Sequence, residues 1–486
     1  MYNSNFRSWF IVLMLCLGFC ISYSCKSEEG NTDPIDPSDT TTQPFKTDVT
    51  YWLTKPDKSM LLQKQQVSLF FSSVANQFPT LSVDSTLTYQ SMDGFGFALT
   101  GGSAYLINNL AASTREALLH ELFGSDSNSI GISYIRISIG ASDLSSTVFS
   151  YDDMPAGQTD VNLDHFSLSP DQADLIPVLK SILLINPKIK ILGSPWSAPV
   201  WMKTNKNSVG GSLLPEYYDS YSNYLVRYIQ EMQAEGIPID AITIQNEPLN
   251  PGNNPSMLML SAEQRDFIKN NLGPAFQSAG VTTKIIVYDH NCDHPEYATN
   301  ILSDPAAAAY VDGSAFHLYA GDISALSQVH AAFPAKNVYF TEQWVGGPGN
   351  FAGDLQWHIQ NLIIGAPRNW SKNVLEWNLA SDPSYNPHTN GGCSSCEGAL
   401  TINSSVARNV SYYIIAHASK FVPAGSVRIS SGILSNLPNV AFQTPEGRKV
   451  LIVLNNSSVM QTFNIGFNNR KAATTLGIGA VATYIW

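Results

Sequence analysis

From about Asp93 onward, short apolar runs alternate with amphipathic stretches of helical length, and no other feature of the sequence restricts the fold as much. An apolar run followed by a segment with apolar positions at helical spacing is a βα unit. Units in series build a parallel sheet, because parallel neighbours need a helix-length crossover. Eight candidate strands can be read: Gly94–Leu99, Ser133–Ile139, Lys188–Gly193, Ala241–Gln245, Lys284–Tyr288, Gly313–His317, Val338–Thr341 and Val374–Trp377. Eight units predict an α/β fold of the (β/α)8 TIM-barrel type over residues 91–420. Two helices carry clear signals. One is expected to open with Ser169 as N-cap and Pro170 at the first helical position, and another to run from Glu216 to Glu235 before Gly236 closes it.

After Phe421 the texture changes to alternating strands. Val440–Gln443 and Val450–Leu454 read as a hairpin joined through Thr444-Pro445-Glu446-Gly447. The region 421–486 is short for an independent module, so the segment 46–90, with Pro79–Gln90 as a further strand, is expected to complete a β-sandwich built from both ends of the chain. At 486 residues and 44% hydrophobic content, the chain has apolar side chains enough for both cores.

The N-terminus reads as an export signal. Arg7 precedes an apolar run from Trp9 to Ile21, too short for a lasting membrane span, and Ser22-Tyr23-Ser24-Cys25 resembles a lipobox. Residues 1–25 are therefore expected to be a lipoprotein signal peptide with Cys25 as the lipidated residue. Lys26-Ser27-Glu28-Glu29 resembles the charged tag of surface-exposed Bacteroidetes lipoproteins, and residues 26–45 form a polar, Thr/Pro/Asp-rich tether. The expected location is the outer membrane, at the cell surface or facing the periplasm, with the lipid on Cys25 as the only membrane attachment. A net charge of -12 leaves no basic stripe for nucleic acid. Three of the six cysteines (Cys16, Cys20, Cys25) fall in the leader. Cys393 and Cys396 stand close together in a small-residue loop, where an oxidising compartment favours a local disulfide over a zinc site completed by Cys292 and His294. Cys292 reads as a buried thiol.

Barrel enzymes gather their working residues at the C-terminal strand ends. Strand four ends in Thr243-Ile244-Gln245-Asn246-Glu247-Pro248 and strand seven in Tyr339-Phe340-Thr341-Glu342-Gln343-Trp344, so both deliver a glutamate to one mouth. Glycoside hydrolysis needs a carboxylic acid to protonate the leaving oxygen and a carboxylate on the opposite face to meet the developing oxocarbenium ion. Asn246 adds an amide suited to the sugar 2-hydroxyl. This chemistry requires no metal or cofactor.

The chain resembles glycoside hydrolase family 30, the family of glucosylceramidases and endo-β-1,6-glucanases. The resemblance is carried, in order, by Asp93-Gly94-Phe95-Gly96, Tyr134-Ile135-Arg136-Ile137 with Ser142-Asp143-Leu144, and the run Ser194-Pro195-Trp196-Ser197-Ala198-Pro199-Val200-Trp201-Met202-Lys203. Asn246-Glu247-Pro248, His317-Leu318-Tyr319, Thr341-Glu342, Glu376-Trp377-Asn378-Leu379-Ala380 and Ser419-Lys420-Phe421-Val422-Pro423 follow. It implies Glu247 as acid/base, Glu342 as nucleophile, and Asp143, Trp196, Asn246 and Trp377 around the glycone. It also implies Tyr319 beside the nucleophile, with Arg136 and His317 in the surrounding shell. Two residues depart from the family pattern and bear on substrate: Phe97, where a small residue is usual, and Trp344, which either stacks on a sugar or packs against the Cys393–Cys396 loop. The expected activity is retaining endo-hydrolysis of a β-1,6-glucan by a monomer. The alternatives are an exo-acting β-glucosidase, glucosylceramidase or β-xylosidase, and, from another class, a non-catalytic glycan-binding lipoprotein.

Overall fold

The computed structural model describes residues 47–486; Cys25, the leader and the tether fall outside the described residues. The eight expected barrel strands are β1 (Gly94–Ala98), β2 (Tyr134–Ile139), β3 (Lys190–Pro195), β4 (Ala241–Thr243), β5 (Lys284–Cys292), β6 (Val311–Gly321), β7 (Asn337–Glu342) and β8 (Ser371–Asn378). Each pairs in parallel with the next, and β8 pairs with β1 to close the barrel.

Side chains alternate along each strand, so inward positions stack in layers through the lumen. One layer is apolar: Tyr134, Leu192, Ala241, Ile286, Ala315, Tyr339 and Leu375. Two residues further along five of these strands stand Arg136, Ser194, Thr243, His317 and Thr341, all buried and all polar. Strand β5 breaks the alternation. Tyr288 and Asp289 have φ of +73° and +67°, and the register with β6 slips between Tyr288 and His290. The slip turns Tyr288 outward, its ring 4.8 Å from that of Tyr297, and delivers Asp289 to the lumen among the polar residues.

Phe97 belongs with Phe95, Leu99 and Ile135 to the apolar shell between strands and helices and is fully buried. It faces the helices and has no part in shaping the mouth, contrary to the sequence expectation. Ser169 also differs from expectation. Ser169–Asp171 is a single 3₁₀ turn, and the helix proper is Leu175–Ile185. Buried Asp171 accepts a 2.5 Å hydrogen bond from Tyr151 Oη, and this tertiary contact holds the turn apart from the helix. Helix Tyr218–Ala234 follows the expected span, with Gly236 at φ +80° beyond it.

The β-module is a nine-stranded arrangement to which the N-terminal segment gives three strands, Thr50–Thr54, Gln63–Lys64 and Thr80–Ser91, where the sequence suggested one. Thr50–Thr54 pairs antiparallel with the last strand, Val481–Ile485, and Thr80–Ser91 lies between Val427–Ser431 and Gln461–Phe467. The expected hairpin is Asn439–Gln443 with Lys449–Leu454. Leu81, Ile429, Leu451, Phe463, Ile465 and Tyr484 are among the residues of its core.

His417, on helix Val410–Ser419, ties the module to the barrel. Its Nδ1 lies 2.9 Å from Thr483 Oγ1 and its Nε2 2.8 Å from Thr54 Oγ1. Thr483 Oγ1 donates its proton to the His417 carbonyl, so Nδ1 carries the hydrogen and Nε2 accepts from Thr54: a neutral ring. Burial pushes the imidazole down to about 3. The unfolded chain takes up this proton near the ordinary histidine value and the folded chain does not. The contribution of His417 is therefore complete above about pH 6.5 and is lost as pH falls toward 3, by at most about 1.4 kcal/mol per pH unit. Denaturant melts from pH 7 to pH 4 are expected to show a shallower loss of stability in His417→Gln than in the wild-type chain.

Candidate active site

Strands β4 and β7 bring Glu247 and Glu342 to one cavity of about 700 Å³ at the C-terminal mouth of the barrel. Asp143, Trp196, Asn246, Tyr319, Trp344, Trp377, Cys393 and Cys396 line it as well, while Arg136 and His317 lie fully buried beneath. Every site residue expected from the sequence thus falls at the mouth or, for Arg136 and His317, in the lumen beneath it, except Cys25, which is outside the described residues.

Arg136 organises the floor. Its Nη1 donates to Glu342 Oε2 at 2.5 Å, and its Nη2 donates to Asp289 Oδ2 at 2.7 Å, Asn246 Oδ1 at 2.6 Å and Ser194 Oγ at 3.1 Å. With its carbonyl oxygen held by the guanidinium, Asn246 is left with its amide nitrogen as the donor toward the cavity. Trp196 and Trp377 stack with ring centroids 5.2 Å apart, and Arg136 lies 4.8 Å from the Trp196 ring centre. Asp289 is the second node: Ser194, Thr243 and Thr341 hydroxyls donate to it at 2.6–2.7 Å, and His317 Nε2 lies 3.1 Å away. Burial opposes its charge, yet Arg136, His317 and Thr341 hold this carboxyl well below the usual range.

The two glutamates differ in their partners. Glu342 accepts from Arg136 on one oxygen and from Tyr319 Oη at 2.9 Å on the other, the arrangement of an ionised carboxylate. Burial raises its pKa, with His317 and Arg136 pulling against that rise. Glu247 sits in a turn at φ +45°; its Oε2 accepts from Asn250 Nδ2 at 2.7 Å, and its Oε1 lies 3.2 Å from His317 Nδ1. Because Nε2 of His317 faces the ionised Asp289, the contact between Nδ1 and Glu247 holds a single proton that either partner can carry. In the free site it rests on the imidazole. His317 is pushed up to about 9 by Glu342, Asp289 and Glu247 against its own burial, and the His317 hydrogen bond and charge overcome burial to bring Glu247 down to about 2. One oxygen of each glutamate and a nitrogen of His317 lie within 4.8 Å of one another. Such a trio has the spacing of metal ligands, but the Arg136 guanidinium already supplies a fixed cation at Glu342.

Asp143 is a third carboxyl group lining the cavity. Burial, then the charge of Glu342, raise it to about 7 against the backbone N–H of Cys393, which donates to Asp143 Oδ2 at 3.3 Å. Cys393 and Cys396 form a disulfide, and Trp344 packs with them against Trp196 and Trp377 while also lining the cavity. Cys292 is buried, and His294 turns to Glu296 at 2.8 Å, so the zinc alternative has no geometry behind it.

Asp289 was not among the expected residues, nor were Leu249, Asn250, Asn253, His290, Asn291 and Asp293, which complete the lining together with His294, considered in the sequence only as a zinc ligand. The signal for Asp289 was present. It follows directly on the strand read as Lys284–Tyr288, at a strand end like Asn246-Glu247, but strict alternation excludes it and only the slip admits it.

Breaking a buried pair leaves an uncompensated charge, a loss of about 3–5 kcal/mol. Arg136→Met is expected to lower unfolding stability by that amount in denaturant titration, because Asp289 and Glu342 then stay buried without their cation.

Residues 92–422 match the glycosyl hydrolase family 30 TIM-barrel domain and residues 425–484 the family 30 beta sandwich domain. An endo-1,6-beta-D-glucanase of Neurospora crassa is 36% identical over 401 residues, covering 77% of this chain and 81% of the relative. A putative glucosylceramidase 2 of Caenorhabditis elegans is 31% identical over 420 residues, covering 81% of this chain and 80% of the relative. Among solved structures, the endo-beta1,6-glucanase BT3312 superposes with a TM-score of 0.85 at 35% identity, covering 91% of this chain and 99% of that one.

Proposed function

The chain belongs to glycoside hydrolase family 30, and from that premise we propose that it is an endo-acting β-1,6-glucanase that cleaves with retention of configuration. The observation that carries the mechanism is the separation of the glutamates, with carboxyl oxygens within 4.8 Å. Retaining enzymes hold their two carboxyl groups about 5 Å apart, and inverting enzymes hold them farther apart to admit a water. The linkage follows the relatives: an endo-1,6-beta-D-glucanase stands at 36% identity and a putative glucosylceramidase at 31%.

In this reading a glucosyl ring sits by Trp196 and Trp377, and Asn246 Nδ2 donates to its 2-hydroxyl. Glu342 attacks the anomeric carbon, and Glu247 gives a proton to the departing 6-oxygen as the bond to it breaks. The proton held between His317 and Glu247 is the one donated. Tyr319 releases its hydrogen bond from the attacking oxygen as the covalent glycosyl-enzyme forms. Glu247, now a carboxylate, takes a proton from water, whose oxygen displaces Glu342 and restores the original configuration.

The test is product analysis on β-1,6-glucan, β-1,3-glucan, xylan and an aryl β-glucoside. A ladder of β-1,6-oligosaccharides is the expected result, with kcat lowered roughly a thousandfold or more in Glu342→Gln and about 10²–10⁴-fold in Glu247→Gln on the glucan. Glucose as sole product, or faster turnover of the aryl glucoside, points to the exo-glucosidase. Inactivity throughout supports the glycan-binding reading.

The N-terminal motif supports export and lipidation at Cys25. A Cys25→Ser chain is expected to leave the detergent phase for the aqueous phase on phase partition.

A further inference from the structure

We propose that Asn291, Asp293 and His294, in the segment that ends β5, and Asn250, in the loop after β4, form the subsite for the sugar on the leaving side of the cleaved bond, a neutral hexopyranose with free hydroxyls. The proposal rests on the β-glucan reading above and names the groups that hold the departing chain.

The strand order divides the mouth in two. Strands β8, β1, β2 and β3 are contiguous and lead to Trp377, Asp143 and Trp196; strands β4 to β7 are contiguous opposite them and lead to Glu247, Asn291, Tyr319 and Glu342. A general acid meets the oxygen that bridges two sugars. With one ring against the tryptophans, the next ring lies past Glu247, over the β5 side. There the lining is Leu249, Asn250, His290, Asn291, Asp293 and His294, with Leu249 its only aliphatic side chain. A lipid leaving group would set hydrocarbon against these amide, carboxylate and imidazole groups, and each polar atom among them that has no partner in the protein would cost about 1–3 kcal/mol. A sugar ring both donates to and accepts from them.

This shelf is built before any ligand arrives. Tyr288 Oη donates to the Asn291 carbonyl at 2.7 Å, and the Tyr319 N–H donates to Asn291 Oδ1 at 3.1 Å, which leaves the Asn291 amide nitrogen as its donor. Gly321, at φ +84°, lies so close beneath that a Cβ there would come within 2.3 Å of Asp293 N. The Asn291 amide donor and the half-exposed Asp293 carboxylate line the same cavity, and a donor and an acceptor offered together recognise neighbouring hydroxyls.

The experiment compares kcat/KM for a β-1,6-linked glucotriose with that for 4-nitrophenyl β-glucoside in the wild-type chain, Asn291→Ala, Asp293→Ala and Gly321→Ala, each checked by thermal melting. The expected result is that the trisaccharide-to-aryl ratio falls roughly tenfold in both side-chain variants, and falls too in Gly321→Ala, whose new methyl group displaces the shelf. An equal loss on both substrates, or an unchanged ratio, overturns the subsite. If the wild-type chain is inert toward the trisaccharide, the β-1,6-glucan reading is overturned and the subsite with it. Preference for glucosylceramide over the trisaccharide would overturn the polar leaving side.

Discussion

One buried guanidinium sets the geometry of the mouth. Arg136 fixes Glu342, Asp289 and Asn246 at once through hydrogen bonds of 2.5–2.7 Å, with the Trp196 ring against its face. Five donors in a rigid fork suit this task, whereas an ammonium group is a point charge on a flexible stem. A carboxylate bound this way needs no proton of its own, so the residue that fixes the position of Glu342 also fixes its charge state. The other glutamate has no guanidinium. Its partner is an imidazole that can hold or give up a proton. The chemical difference between the two carboxyl groups therefore originates in β2 and β6, the strands that bear Arg136 and His317, and not in β4 and β7, which carry the glutamates.

Those partners lie in layers because the barrel is layered. The apolar plug formed by Tyr134, Leu192 and Tyr339 with their neighbours excludes water from below, so every charge above it must be matched within the lumen. Asp289 meets that demand from five donors, three of them hydroxyls from β3, β4 and β7. A barrel core can accept such a group because each lumen position is reached from several strands at once.

Much of this was legible in the sequence. The eight alternations fixed the barrel, and two glutamates at strand ends four and seven pointed to the chemistry before any resemblance was invoked. What escaped depends on departures from local rules. Asp289 reaches the lumen through a left-handed pair of residues that shifts the alternation by one, and no periodic pattern encodes such a slip. Ser169-Pro170 is a sound helix start by its residue types, but Tyr151, 20 residues earlier and outside the turn, claims Asp171. The short Gln63–Lys64 strand has no pattern of its own and exists because Thr50–Thr54 offers it an edge. Phe97 was linked to substrate because a small residue is usual at its place in the family, though its burial places it with the helices.

The pairing of Thr50–Thr54 with Val481–Ile485 joins segments separated by nearly the whole chain; the hydrogen bond from Thr50 Oγ1 to the Ile485 carbonyl spans 435 positions. A polypeptide emerges from its first residue onward, so one of the earliest strands made has to wait for one of the last. During that wait Tyr51 and its neighbours present an unpaired apolar edge, while the barrel between the two ends gathers on its own local contacts. The β-module is thus the final part of the molecule to close, and the arrival of the C-terminal strand marks the completion of the fold for both ends together.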